Sequence, residues 1–371
     1  MYRYLAVDTV TGNILGDLEL TGVTWERGLM ATGGVQADMP LTDIVDHPEH
    51  AYALKDWTTP YRTGVVVLLD GEVVCDAIWQ PRTINDEGVT PALTGGRTWS
   101  LFAYRYTDLD APKVFEQTDQ ADIVRWLLEH GTDRPGGGMN LRIICPPTGV
   151  LRDFTVEDGE PIAELVDSLA EGAFDYDLTC RLDGRGVVRE FRLFYPTQGG
   201  LNPDLVFRAA GNLTPSWTIN ESPVETVTTV VGESSSSTYI RDDMLAVGWP
   251  RIERRIVARD LTESTDVDAL AQARSVLFGD LKSSPSVTVS GYSGWQPGEV
   301  AAVQFDPHPF HPEGYATWAR IATTRVAVND EGSDVATVRF ADRLAALPPQ
   351  TEAAAVGREL ADVNRRLRNI E

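Results

Sequence analysis

Two pairs of histidines have the spacing of metal ligands. His47-Pro-Glu-His50 and His308-Pro-Phe-His311 each place two imidazoles three residues apart, with Asp46 or Asp306 close by. Zinc takes such donors. The prolines put both pairs in loops, where two ligands are poorly held, so no metal site is expected at either. Asp175 and Asp177 share one face of a predicted strand, and glycosidases work with paired carboxylates. Among 55 acidic residues, however, chance pairs are expected. The chain has no His-Glu-Xaa-Xaa-His and no Gly-Xaa-Ser-Xaa-Gly. Gly136-Gly-Gly138 does not stand between a strand and a helix, which argues against a phosphate loop. Cys75, Cys145 and Cys180 are too far apart for a metal pattern, and an odd number leaves no complete disulfide set. Buried free thiols are expected, in a protein made in a reducing cytoplasm. Trp57, Trp79, Trp99, Trp217, Trp295 and Trp318 scatter through strand regions, as packing residues do rather than a sugar platform. Catalytic, cofactor-binding and metal-binding residues are therefore all expected to be absent.

The most regular spacing in the chain is apolar. Ala353, Val356, Leu360, Val363, Leu367 and Ile370 recur at intervals of three and four. This is a heptad, with Ala353, Leu360 and Leu367 at a and Val356, Val363 and Ile370 at d. The stripe is narrow, as a coiled-coil seam is. Leu at a with β-branched residues at d allows three or four strands rather than two. Arg366 at g and Glu371 at the next e could pair between chains, and Pro348-Pro349 separates the helix from what precedes it. An amphipathic helix lying on its own domain remains the alternative. Fewer than three heptads are marginal alone, so the elements before them must help to hold any oligomer.

Those elements are mostly strands. The 371 residues allow two to four domains. No run of about 18 apolar residues is present to cross a membrane, and Met1-Tyr-Arg-Tyr-Leu-Ala-Val-Asp reads as a strand rather than a signal peptide. The net charge of −23 has the wrong sign for holding phosphates. It suits solubility, or a wall past which DNA slides without sticking.

Residues 2–8 and 14–26 predict two strands around Val10-Thr-Gly-Asn13, and a short helix follows at Thr42. Val65–Leu69 and Val73–Trp79 flank Asp70-Gly71, a type I′ hairpin pair. A further strand is expected over Arg97–Tyr106. Residues 1–110 thus predict a first small β-barrel or sandwich. Helices are expected at Asp119–His130 and after Pro161, with a hairpin around Asp183-Gly-Arg-Gly186, giving residues 111–200 as an inserted α+β domain. Residues 201–347 predict a second barrel. Its parts are strands at Thr226–Val231, Ser286–Ser290 and Glu299–Phe305, a helix capped by Thr265, and a last hairpin from Ile321–Val328 to Val335–Phe340. Gly232-Glu-Ser-Ser-Ser-Ser237 reads as a loop tip. Residues 350–371 are expected to form the heptad helix. The fold class is mainly β, of α+β type.

The stretch from Asp8 through Val23-Thr-Trp-Glu-Arg27 to Met39-Pro-Leu41 resembles the start of minor tail proteins of long-tailed actinobacterial phages. The helix at 265–281, Trp295-Gln-Pro-Gly-Glu-Val and the hairpin containing Asp330 are similar to that family too. The order of parts is similar to the central hub of phage baseplates and of the type VI secretion spike. The resemblance implies two tail-tube-like barrels per chain and a homotrimer that presents six barrels to a six-fold tube. Its expected partners are a distal tail or tube protein and other tail-tip, fibre or tape-measure proteins. DNA would pass without specific binding, and the place would be the virion tail tip, assembled in the host cytoplasm. Many hubs continue into large C-terminal fibres or enzymes, where this sequence has a short helix. A receptor- or carbohydrate-binding tail protein is the alternative, and a tail-associated cell-wall hydrolase a third reading. The absent catalytic set speaks against the hydrolase, and the Ser-rich and acidic loops against the binder.

Overall fold

The computed structural model describes the chain apart from residues 40–54, 83–91, 171–172, 185, 209–212, 222–223, 233, 259–263, 279–282, 310 and 341–371. Ala353, Val356, Leu360, Val363, Arg366, Leu367, Ile370 and Glu371 lie outside the described residues, as do His47, His50 and the helix expected at Thr42.

β1 (Tyr2–Asp8) turns back as β2 (Ile14–Asp17). Asp8 holds the turn by accepting from the backbone of Val10 and Thr11. The single strand expected over 14–26 is broken, and β3 (Thr21–Gly28) is separate. The break follows from pairing: β2 lies on β1, whereas β3 lies on other strands. β4 (Gly33–Asp38), β5 (Thr63–Leu69), β6 (Glu72–Trp79) and β7 (Ala92–Gly96) follow. Between β5 and β6, Asp70 and Gly71 have φ of 50° and 89°, the left-handed pair a type I′ turn requires. The strand expected over Arg97–Tyr106 is absent, and Thr98–Tyr104 winds into 3₁₀ turns. Trp99 and Phe102 stand three apart, and the tight turn brings both to the same side, buried.

An α+β segment comes next: β8 (Lys113–Asp119), α1 (Gln120–Thr132), β9 (Leu141–Ile144), β10 (Leu151–Val156), α2 (Ile162–Ala170), β11 (Asp175–Asp183) and β12 (Gly186–Phe194). β8 pairs with β10, and β11, β12 and β9 form a three-stranded sheet. Ile123, Val124, Leu127 and Leu128 of α1 recur on one face and are all fully buried.

Asp119 caps α1. Its carboxylate accepts from Ala121 N at 2.9 Å, and from Thr148 N and Gly149 N at 3.0 and 2.7 Å. Partial burial pushes this carboxyl up, but the hydrogen bonds outweigh burial and hold it below the usual aspartate value. A carboxyl lowered in the folded state adds stability above its unfolded value, and that stability is lost as pH falls through the folded one. Asp119→Ala should therefore cost about 1–2 kcal/mol at neutral pH, and less as pH drops below about 4. Thermal melts across that range check this; an equal loss at pH 3 and pH 7 would count against the assignment.

The rest of the chain forms β13 (Leu201–Arg208), β14 (Leu213–Glu221), β15 (Val227–Val231), β16 (Ser236–Ile240), α3 (Asp242–Ala246), β17 (Glu253–Val257), α4 (Ser264–Phe278), β18 (Ser283–Ser290), β19 (Val300–Phe305), β20 (Tyr315–Val328) and β21 (Asp334–Phe340). The loop expected up to Ser237 is shorter than predicted, because Ser236 already pairs with Val231.

Two compact units result. The first holds residues 1–170, 174–216 and 287–339, and the second is built on residues 217–286. In the first, the main sheet runs β18-β21-β20-β3-β4-β7-β6-β5-β1-β2, with β19 on β20 and β13 on β19. β20 is the hinge of this order. Its first half pairs with β19 and its second half with β3. Strands from 1–110 and from 201–347 thus continue one sheet, and no closed barrel forms among the described residues. In the second unit, β16-β15-β17 form a three-stranded sheet. Val267 and Ala271 of α4 pack on Val230, with Ile256 and Leu270 around them. Arg274 and Glu225 form a buried two-point ion pair there, at 2.9 and 3.2 Å.

Candidate functional site

The acid pair singled out in the sequence sits at the centre of the first unit. β11 alternates, so Asp175 and Asp177 face one way while Tyr176 and Leu178 face the other. All four side chains are buried. Asp177 accepts from Arg27 at 3.0 Å and from Arg97 at 3.2 Å. Arg97 also stands 3.6 Å from Asp76, whose carboxylate takes the Thr98 hydroxyl as well. Arg27 reaches on to Gln296 Oε1 at 2.8 Å. Two residues along, Asp175 accepts from Arg320 at 2.5 Å and from Gln198 N at 2.7 Å. Burial pushes the Arg97 guanidinium down, but Asp177 and Asp76 pull it further the other way, so its net direction is up.

This arrangement is a tie rather than a catalytic pair. Each carboxylate accepts from at least one arginine, and each is 1% exposed, out of reach of a substrate. The groups come from β3, β6, the turn after β7, β11 and β20. They pin the α+β segment against the main sheet. The opposite face of β11 is aromatic: Tyr176 stacks on Phe191 at 5.3 Å, and Trp99 leans on both. A second contact fastens the same segment. The β1–β2 turn meets the β11–β12 hairpin, with Val187 N donating to Gly12 O and buried Arg189 donating to Thr9 O. A side chain on Gly12 would strike Val187 O at 2.3 Å, and its φ of 72° is left-handed as well.

The remaining candidates can be placed in turn. His308 and His311 exchange backbone hydrogen bonds across the β19–β20 turn, and the His311 ring meets Tyr315 edge-on at 6.0 Å. Among the described residues, no three His, Cys, Asp or Glu side chains gather as a metal set. Cys75, Cys145 and Cys180 are buried free thiols. Burial pushes Cys75 and Cys145 up to about 12 and Cys180 well above the usual thiol value, which leaves all three as neutral thiols. Trp25, Tyr292, Trp295 and Phe207 form a chain of edge-on contacts, 4.9, 5.0 and 5.4 Å between centroids. Trp79 is buried, whereas Trp318 is half exposed. A groove of about 390 Å³ crosses β3, β4 and β7, lined by Thr24, Glu26, Gln36, Thr94 and Arg325. Glu26 and Arg325 oppose each other in the β3–β20 ladder.

Sequence reading found the acids but not their arginines. Arg27 lies 150 residues from Asp177 and Arg97 lies 80 away, so no local pattern joins them. The Val23-Thr-Trp-Glu-Arg27 motif held the signal, since Val23, Trp25 and Arg27 are its inward, buried positions.

No protein-family model and no curated protein matches the chain. Solved structures do. A 43 kDa tail protein of prophage MuSo2 from Shewanella oneidensis is similar with a TM-score of 0.61 at 14% identity, over 93% of this chain and 98% of that one. The tail protein from Neisseria meningitidis MC58 gives 0.55 at 13% identity, over 92% and 97%. A chain of the Francisella PdpA–VgrG complex gives 0.55 at 8% identity, where 92% of this chain covers 52% of that longer one. Over nearly its whole length, the chain shares the fold of prophage tail proteins.

Proposed function

We propose that the chain is a structural protein of a phage tail tip: a trimeric hub that joins the six-fold tail tube to the host-facing tip and forms part of the DNA ejection channel. One observation carries the reading, the end-to-end match in fold with the Shewanella prophage tail protein. A shared domain alone would leave part of either chain unmatched. In this reading, residues 1–110 and 201–347 supply the two tube-facing parts, 111–200 the insertion, and the heptad Ala353–Glu371 a three-fold seam. The net charge of −23 suits a wall that releases DNA. The distal tail protein and other tip, fibre or tape-measure proteins are the partners. The chain has no catalytic role, in keeping with Asp175 and Asp177 being tied to arginine.

Antibody raised against the purified chain should decorate virions at one place, the tail end away from the capsid, when viewed by electron microscopy. Label along the whole tail, or no label on intact particles, would remove the reading.

A further inference from the structure

The chain from the 3₁₀ turns to β8 runs past the end of α1, and one histidine holds it there. His130 stands in the last turn of α1. Its Nε2 atom meets two donors, the backbone N of Asp108 at 3.2 Å and the Arg134 guanidinium at 2.8 Å. A backbone N–H and a guanidinium can only donate. Nε2 therefore carries no proton, and the hydrogen of the ring sits on Nδ1. Arg134 fastens the same stretch again, by donating to Tyr106 O at 3.0 Å and standing 3.8 Å from the Asp108 carboxylate. Trp126, one turn earlier on α1, lies against the imidazole, with 5.0 Å between centroids and 14° between planes. Phe115 of β8 meets Trp126 edge-on at 5.4 Å. The stack fixes the plane of the histidine ring.

Residues 106–109 have a second hold of a different kind. Thr107 N donates to Glu160 O at 2.9 Å, Gly159 N to Thr107 O at 3.2 Å, and Thr107 Oγ1 to Glu157 O at 2.6 Å. These bonds join uncharged groups and need no particular pH. The hold on α1 does. A proton on Nε2 takes up the lone pair that both donors share, and it sets a cation beside the Arg134 cation. The other charges near the ring are Asp133, next to Arg134, and Asp108 on the segment itself. Lys113 of β8 lies over Phe115, on the far side of Trp126, and Arg105 donates to the neighbouring Gly131 O. Burial, and then Arg134, push His130 below its ordinary value; Asp108 and Asp133 pull the other way without reversing it.

We propose that His130 is a pH-sensitive latch: neutral, it clips residues 106–108 to the end of α1, and protonated, it lets them go. A histidine lowered in the closed form takes its proton more readily once the latch is open. The closed form is therefore at full strength above the ordinary histidine value of about 6.5, weakens as pH falls through that value, and levels off below the lowered one. The bonds to residues 157–160 persist, so acid frees the segment from α1 and leaves it joined to that loop.

NMR on the full chain tests it. Five histidines give few ring signals, and contact with the Trp126 ring identifies the one from His130. At pH 7.5 the ring should show a bare Nε2 and a protonated Nδ1, and its titration midpoint should fall below about 6.5. The Asp108 amide should shift with the same midpoint. After correction for intrinsic rates, that amide should also lose about threefold or more of its protection from solvent exchange between pH 7.5 and pH 5, while the Thr107 amide, bonded to Glu160 O, keeps its own. In His130→Gln the Asp108 amide should no longer respond over this range. A midpoint at or above about 6.5, a proton on Nε2 at pH 7.5, or an Asp108 response that survives in His130→Gln overturns the latch. The first two readings use the unaltered chain, so they decide the matter even where the variant fails to fold.

Discussion

Asp177→Ala should cost the first unit about 3–5 kcal/mol, one of the largest losses a single change can cause. The reason is the pair of arginines left behind. Arg27 and Arg97 are 7% and 2% exposed, and both point at the Asp177 carboxylate. Arg97 keeps Asp76 at 3.6 Å, whereas Arg27 keeps only neutral partners, Gln296 and the Val74 carbonyl. A buried cation without a counter-ion is far more costly than a buried apolar group. Denaturant unfolding, read as the midpoint with its slope, measures the loss. Arg27→Met combined with Asp177→Leu should recover part of it, because removing both charges leaves less unpaired than removing one. A single variant within 1 kcal/mol of wild type would show that the ion pairs are incidental to the fold.

Trp25→Ala is the second large effect, and it reads packing rather than charge. Trp25 is 1% exposed and meets Tyr292 edge-on at 4.9 Å. Truncating a core tryptophan costs about 3–5 kcal/mol, which lowers the melting temperature by roughly 6–20 °C for a unit of this size. Trp25 lies on β3 and its partners come from the region after β18, so the loss should appear in one shared transition. If fluorescence reported two transitions and only one moved, the strands near the start of the chain and those near residue 300 would be unfolding separately.

How far the fold could be read beforehand depended on how local its causes are. The Asp70-Gly71 hairpin, the Asp183–Gly186 hairpin and the helix starting near Asp119 each rest on residues close in sequence, and each lies where the sequence placed it. Thr98–Tyr104 reads as a strand because Trp99, Phe102 and Tyr104 have β-forming character, while the spacing of three between Trp99 and Phe102 suits the turn that buries both. β16 and β17 escaped because they are short and polar; their strand character comes from pairing with β15. The long β20 was seen only from Ile321 on, since its first half is half exposed and has no strong alternation. Continuity of the main sheet through β3 and β20 was not legible at all. A strand names its two faces in sequence, but not the neighbours at its edges.

That continuity also sets the timing of synthesis. β3 ends at Gly28 and its partner on β20 begins at Thr323, so almost the whole chain is made between the two. At about 5–20 residues per second, β3 waits roughly 15–60 s on the ribosome with one bare edge. Tyr2 waits as long for the Asp334 carboxylate that its hydroxyl meets. The main sheet therefore completes only as translation ends, and its early hairpins spend that interval open to pairing with other nascent chains. A cell that makes many copies at once holds many such bare edges together, a condition that favours pairing between chains.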